Sequence, residues 1–275
     1  PHVKGSELPG VFTLRGINDA DRMLDYAKGV EHVAVIGGGL LGLESAHSLS
    51  RLGKKVTVIE FFQWLLPRQL DQAGGRILLT MLESKGLSFV LGDSVDSIEG
   101  DGRVGRLVLK SGKTIPAGMV LVSAGIRCSI DLAKAAGLAT ATGIIVDDHL
   151  ATSAPDVFAA GDPVEHRGRV YGIWPAAREQ GRIAGLNMAG IETAYEGTVM
   201  ANVLKITGID LFSAGDFNAR ECEILVSEGA ESYRKLCVDL SNPLGAIVLG
   251  DPEAVKVAQK VMEGKAKPDE LKRFF

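Results

Sequence analysis

The chain has 275 residues, 46% of them hydrophobic and 23% charged, with a formal net charge of −4. That is ordinary globular composition, with length enough for two or three domains. The slight acidic excess excludes the basic footprint of a nucleic-acid or anionic-membrane binder. No apolar run reaches the length of a membrane span and no signal-peptide pattern is present. Cys128, Cys222 and Cys237 are scattered and odd in number, without C-x-x-C spacing. They read as small buried hydrophobes in a reduced, cytoplasmic setting, not as a redox pair or metal ligands. The chain begins at Pro1 and not at Met, as a piece of a longer protein or a processed subunit would.

Residues 1–16 are punctuated by Gly and Pro, with a strand expected over 11–15. A helix follows, with Asn18 as its N-cap, Asp19 and Asp21 in the first turn and Gly29 closing it. Residues 33–36 are a short β-branched apolar run, the pattern of a buried parallel strand. Gly37, Gly39 and Gly42 come next as G-x-G-x-x-G, and a helical pattern continues to Leu52, where Gly53 stops it. Residues 56–59 form a second buried-strand run closed by Glu60. Strand, glycine turn, helix, strand and acid, in that order, make a dinucleotide-binding unit.

Each glycine has a distinct physical task. Gly37 permits the tight turn, Gly39 lets a pyrophosphate approach the backbone, and Gly42 lets the helix pack close. The helix N-terminus offers unpaired N–H groups and about half a positive charge to the phosphates. Glu60 stands where a carboxylate can accept from ribose hydroxyls, and a 2′-phosphate there would meet a like charge. Phe61, Phe62, Gln63 and Trp64 follow with no Arg to hold such a phosphate, which favours NAD(H) over NADP(H).

After Pro67, the positions Ala73, Ile77, Leu78, Met81 and Leu82 mark one helical face, stopped by Gly86. Strands are expected over 87–91, 94–98, 104–110, 114–116 and 119–123. The last ends in Ala124-Gly125, where a glycine lets a ligand lie against the backbone or simply turns the chain. Asp131 is a candidate cap for a helix through Ala136, and strands are expected over 143–146 and 157–160. Gly161, Asp162 and Pro163 follow, with Pro163 suited to the first turn of a helix. Residues 175–189 read as a helix carrying Ala176, Ala177, Gly181, Ala184 and Gly185. That small-residue face fits either a flat ligand or close packing on a sheet. Strands are then expected over 203–206, 223–226, 234–240 and 245–249, and a helix over 252–264. The Lys-rich tail from Lys265 reads as a solvated end.

These stretches together resemble the pyridine-nucleotide-dependent flavoprotein oxidoreductases of the FAD/NAD(P) disulfide-reductase superfamily. Within it the chain is most similar to the NADH:rubredoxin oxidoreductases and the flavin part of NADH-dependent nitrite reductases. VFTLRGINDADRM is similar to the lead-in to the NAD domain, and VIGGGLLGLESA to its fingerprint. GIIVDDHLATSAPDVFAAGDPVE is similar to the second FAD motif, and WPAAREQGRIAGLNMAG to the helix whose N-terminus abuts the flavin. LKITGIDLFSAGDFN and LGAIVLGD are similar to the C-terminal domain.

The resemblance implies an α/β architecture: a lead-in over 1–29, a Rossmann-like NAD-binding domain over 30–126, a partial FAD-binding domain over 127–197, and a small C-terminal α+β domain over 198–275. It implies NADH held by Gly37, Gly38, Gly39, Leu40, Leu41, Gly42, Glu44 and Glu60, with Gly125 on its other side. FAD would be held by Gly161 and Asp162, with Trp174 and Ala177 on the flavin-facing helix. The cofactors would do the hydride chemistry, so no catalytic side chain is assigned. The family's first G-x-G-x-x-G unit, for the ADP half of FAD, does not precede residue 32. The expectation is that a second polypeptide or a cleaved N-terminal half carries it in an oligomeric assembly. The function implied is electron transfer from NADH through flavin to rubredoxin or another small redox protein. A flavin-free NAD(H)-binding regulatory or sensing module is the alternative. A scaffold with a vestigial dinucleotide site fits least, because the glycines and Glu60 are intact.

Overall fold

A computed structural model describes residues 3–206, 208–240 and 242–275. Pro1, His2 and Ser241 lie outside the described residues, as does Thr207 within the stretch that resembles the C-terminal domain. The chain divides into two compact units, one of residues 1–125 with 201–275, the other of residues 126–200.

The first unit opens with β1 (Val11–Phe12), α1 (Ile17–Ala27), β2 (His32–Ile36), α2 (Leu40–Arg51), β3 (Lys55–Glu60), α3 (Gln72–Ser84) and β4 (Ser88–Leu91). An antiparallel meander, β5 (Val95–Glu99), β6 (Arg106–Leu109) and β7 (Thr114–Pro116), precedes β8 (Met119–Val122). The main sheet is parallel throughout, in the order β1-β8-β2-β3-β4. Alternation along β2 sets the layers. Val33 and Val35 join the core formed with α1, α2 and α3. Ala34 and Ile36 join the core under the meander, with Leu107, Leu109 and Ile115. Two sequence expectations shift at the start. The first strand spans only Val11–Phe12, and α1 is capped at Gly16, not Asn18. The cause is Asp19, whose Oδ2 accepts the N–H groups of Arg15 and Gly16 at 3.1 Å.

The second unit holds α4 (Asp131–Ala135), β9 (Ile144–Val146), β10 (Val164–His166), β11 (Arg169–Val170) and α5 (Trp174–Met188). Ile130, not Asp131, is the N-cap of α4, and Asp131 sits in the first turn. β10 and β11 form a hairpin absent from the sequence reading. Its two-residue turn places Arg167 at φ 50° and Gly168 at φ 73°, the geometry that suits strand twist. The strand expected over 157–160 does not form, and Phe158 makes only an isolated bridge to Ala151. Pro163 does not open a helix. It lies in a turn closed by the Val164 N–H on the Gly161 carbonyl at 3.0 Å, and strand β10 starts directly after it.

The rest of the first unit is β12 (Ala201–Ile206), β13 (Ile209–Gly215), β14 (Glu223–Glu228), β15 (Tyr233–Asp239), β16 (Asn242–Leu249), α6 (Pro252–Met262) and α7 (Pro268–Lys272). The strands pair antiparallel in the order β12-β13-β16-β15-β14. One face shares the core of α2 and α3 through Leu204, Leu211, Tyr233 and Ile247. The other packs on α6 and α7 through Phe212, Ala214, Leu236 and Val248. The sequence reading missed β13, and its solvated tail is a docked one. Leu271 is fully buried and Phe274 and Phe275 pack on the same core, because α7 is amphipathic despite its lysines.

Asp71 ties α3 to strand β15 of the C-terminal sheet. It caps α3 through the Gly74 N–H at 3.1 Å and accepts the Tyr233 hydroxyl at 2.7 Å and the Lys235 ammonium at 2.9 Å. Cys222 and Cys237 are joined as a disulfide, which corrects the reading of all three cysteines as buried hydrophobes. The register of β14 on β15 brings them together, and a sequence separation of 15 carries no local signature of that. Cys128 is a free, half-buried thiol.

Candidate functional site

In the first unit the sheet order reverses beside β2, with β3 and β4 on one side and β8 on the other. Such a switch point leaves a crevice at the carboxyl ends of the strands. The glycine turn lies there. Gly37 adopts φ 113° and donates its N–H to the Ile59 carbonyl at 2.8 Å. A Cβ at Gly37 would run into the Ser123 carbonyl, and one at Gly42 into the Gly37 carbonyl. Gly38 is buried, and a Cβ there would meet Leu65 Cδ2 at 2.9 Å and Glu60 Oε2 at 3.1 Å. Gly39 differs: it is exposed, and a Cβ on it would find no atom within 4 Å. Gly37 and Gly42 are thus required by the fold, Gly38 is closely packed against two side chains, and Gly39 leaves space above the backbone.

Gly39 is also the N-cap of α2 and supplies no side-chain acceptor. The first-turn N–H groups at Leu40 and Leu41 are therefore offered to an anion. Leu41 points to solvent. Glu44 lies half-buried one turn further on, its carbonyl accepting the Ser48 hydroxyl at 2.8 Å. Gly125, at φ 94°, is exposed just past the end of β8. The structure thus gathers residues 37–42, Glu60 and Gly125 at the ends of β2, β3 and β8.

Glu60 is only 7% exposed, and its two carboxylate oxygens are both engaged. Oε2 accepts the Gly38 N–H at 2.6 Å and Oε1 accepts the Phe62 N–H at 2.9 Å. Each oxygen keeps a further lone pair for a donor. Phe61 and Phe62 are exposed and meet edge to face with centroids 5.4 Å apart. In the sequence they counted only as the absence of Arg. Two adjacent aromatics directly after the strand-ending acid were the available signal of an exposed platform.

In the second unit Gly161 adopts φ 96° and donates its N–H to Gln180 Oε1 at 2.9 Å. A Cβ on Gly161 would lie 3.9 Å from the Ala177 Cβ, so the turn and α5 are neighbours. Asp162 is exposed, with its carbonyl accepting the Cys128 thiol at 3.4 Å. Helix α5 opens at Trp174, 73% exposed, with the Arg178 guanidinium 5.7 Å from the ring centroid. Its N-cap, Ile173, gives no side-chain acceptor, so this helix end is open as well. Packing within the unit uses Ile183 and Ala184, whereas Gly181 and Gly185 have no atom within 4 Å of a Cβ position.

Gln180 is the residue that sequence reasoning missed. It is 1% exposed, it fixes the Gly161 turn, and its Nε2 has no partner among the described residues. Its place at helical spacing between Ala176 and Ala184, on the small-residue face, was the signal. Elsewhere in the unit His166 is fully buried with Nε2 on Asp148 Oδ1 at 2.8 Å. The Arg167 fork and then His166 hold the Asp148 carboxyl down to about 2. Among the described residues no group of three or more His, Cys, Asp or Glu could hold a metal, and no helix is long and apolar enough to cross a membrane.

Residues 1–181 match the pyridine nucleotide-disulphide oxidoreductase family. The chain belongs to that family. Residues 201–266 match the rubredoxin NAD+ reductase C-terminal domain. The chain is 40% identical over 253 residues to a nitrite reductase (NAD(P)H) of Bacillus subtilis (strain 168), an alignment covering 90% of this chain and 31% of that protein. It is 36% identical to the assimilatory nitrate reductase electron transfer subunit of the same organism, over 91% of this chain and 34% of that one. Its fold superposes on the crystal structure of NADH:rubredoxin oxidoreductase from Clostridium acetobutylicum with a TM-score of 0.74 and 27% identity, covering 95% of this chain and 67% of that one. The chain therefore spans about a third of the length of the two Bacillus relatives. The pyridine nucleotide-disulphide oxidoreductases use FAD and NAD(H), and the homologues of this chain include oxidoreductases named for NADH or NAD(P)H.

The residues present fit both cofactors. Open space above Gly39 and an uncapped helix N-terminus suit a pyrophosphate. The Gly161 turn, exposed Asp162 and open α5 end suit a polyol chain and an electron-rich ring.

Proposed function

We propose that this chain is part of an FAD-dependent NADH oxidoreductase that delivers electrons to a small redox protein such as a rubredoxin. The observation that carries the reading is the open backbone at Gly39, at the sheet's switch point, with Glu60 clamped beside it. FAD, when bound, supplies the two-electron acceptor for hydride and the relay to one-electron partners.

This chain's residues bind and orient. The N–H groups at Leu40 and Leu41 hold the pyrophosphate of NADH. Glu60 accepts from the adenosine ribose through its remaining lone pairs and opposes a 2′-phosphate. Glu44 and Gly125 flank the nicotinamide end. In residues 127–197, the C-terminal part of the FAD domain, Asp162 accepts from ribityl hydroxyls. The α5 N-terminus, marked by Trp174 and Ala177, sets partial positive charge near the flavin. Residues 30–126 serve as the NAD domain, 1–29 as its lead-in and 198–275 as the C-terminal domain. The ADP-binding half of FAD lies outside these 275 residues, on a second polypeptide or on another part of the same gene product, within an oligomeric assembly.

The test is a fluorescence titration of the chain with NADH and NADPH. NADH should bind at least about tenfold more tightly, as a like charge opposed to a 2′-phosphate requires. Equal affinity for both, or none for either, would overturn the reading.

A further inference from the structure

β14 and β15 pair over six positions from Glu223↔Val238 to Glu228↔Tyr233, with Ile224 opposite Cys237. Cys222 stands just before the first paired residue of β14, in the irregular segment 216–222 that follows β13. Its Cα is 5.9 Å from that of Cys237, within the span a disulfide bridges. The two sulfurs occupy unlike places. Cys237 is fully buried in a central strand, whereas Cys222 is half-buried at the edge of the domain.

We propose that Cys222–Cys237 is a thiol–disulfide exchange site, opened and closed in the folded protein by low-molecular-weight thiols and disulfides. Exposure decides which sulfur is attacked. An external thiolate attacks Cys222 Sγ; the bond to Cys237 breaks, a mixed disulfide forms on Cys222, and Cys237 leaves as a thiolate that takes a proton from solvent. A second external thiolate attacks the external sulfur of that mixed disulfide, releasing Cys222. The sum is one protein disulfide plus two thiols giving two protein thiols plus one small disulfide. The reverse sequence closes the site, with the small disulfide as oxidant.

Opening the bond need not unfold the sheet. The β14–β15 ladder has six residue pairs of its own, and β15 is held on its other side by β16. What is released is segment 216–222. Its other anchors include the Asp216 N–H on the Leu244 carbonyl at 2.8 Å, the buried Phe217 ring with Lys235 Nζ 5.9 Å from its centroid, Asn218 Oδ1 on Lys235 Nζ at 3.2 Å, and the Ala219 carbonyl 3.9 Å from Cys237 Sγ. Lys235 in turn pairs with Asp71, the cap of α3, so the segment touches the network that ties α3 to β15.

The test equilibrates the whole native protein in buffers of graded reduced to oxidised dithiothreitol. Acid quench, alkylation and peptide mass spectrometry then read each cysteine, with Cys128 as the unpaired control. Cys222 and Cys237 should convert together and reversibly with the dithiothreitol ratio, at constant far-UV circular dichroism. Amide exchange over 216–222 should quicken in the reduced form. In Cys237→Ala the remaining Cys222 should take up oxidised glutathione at least about tenfold faster than Cys237 does in Cys222→Ala, because access governs reactivity. A bond that yields only after denaturation, or thiols that never pair in oxidised dithiothreitol, would overturn the proposal.

Discussion

The Glu60 carboxylate accepts the Gly38 N–H at 2.6 Å while its other oxygen accepts the Phe62 N–H at 2.9 Å. One side chain thus ties the glycine turn after β2 to the loop after β3. Glu60→Gln keeps one carbonyl acceptor and turns an amide N–H toward the other N–H. A charge-assisted hydrogen bond contributes about 1.5–3 kcal/mol. NADH affinity should therefore fall roughly 10- to 100-fold, as 1.4 kcal/mol is about tenfold. NADPH affinity should fall less, since the opposing charge is also removed. Fluorescence titration with both nucleotides measures the difference.

Gly39 and Gly42 should respond oppositely to the same substitution. Gly39→Ala places a methyl in open space at an extended φ of −75°, so stability should change by less than about 1 kcal/mol. NADH binding should be lost, because the methyl occupies the pyrophosphate's approach. Gly42→Ala drives its Cβ into the Gly37 carbonyl and should cost about 1–3 kcal/mol of stability. Urea midpoints and NADH titrations on both variants separate the two roles.

Gln180 is expected to hold the Gly161 turn. Gln180→Met fills similar volume but strands the Gly161 N–H, a loss of about 1–3 kcal/mol. Amide exchange at Gly161 should accelerate by roughly tenfold or more, and the assembled protein should retain less flavin. Gln180→Glu keeps an acceptor oxygen and should preserve the protection at Gly161.

The Asp71 network predicts acid sensitivity. Burial pushes the Asp71 carboxyl up, but the Tyr233 hydroxyl, the Lys235 ammonium and the Gly74 N–H outweigh it, and the net direction is down. A carboxylate held below its unfolded value, near 3.9, contributes stability above that pH and loses it as pH falls through the folded value. Urea midpoints measured from pH 7 to pH 3 should drop steeply at the acid end. Asp71→Asn should flatten that slope. Asp71→Ala should cost about 2–4 kcal/mol by removing the cap, the counter-ion of Lys235 and the acceptor of the Tyr233 hydroxyl.

The parallel sheet was legible because its signals are local. A β-branched run, three glycines, a helical stripe and a terminal acid lie within 29 residues and fold into adjacent elements. The features that were missed depend on distant partners. The disulfide needs the β14–β15 register, and the docking of α7 needs the far face of the C-terminal sheet. The β10–β11 hairpin was hidden by its brevity, since two- and three-residue strands carry almost no periodicity and only Arg167-Gly168 marks the turn. At Glu60 the sequence correctly marked an acid at the strand's end, but its hydrogen bond to Gly38 spans 22 residues of chain and no spacing rule encodes it.

The most direct test is the visible absorption spectrum of the protein purified from cells that make it, recorded without air before and after one equivalent of NADH. The account predicts flavin bands that bleach with NADH and respond far more weakly to the same amount of NADPH. A protein without flavin bands, or one whose flavin NADH leaves oxidised, would contradict it.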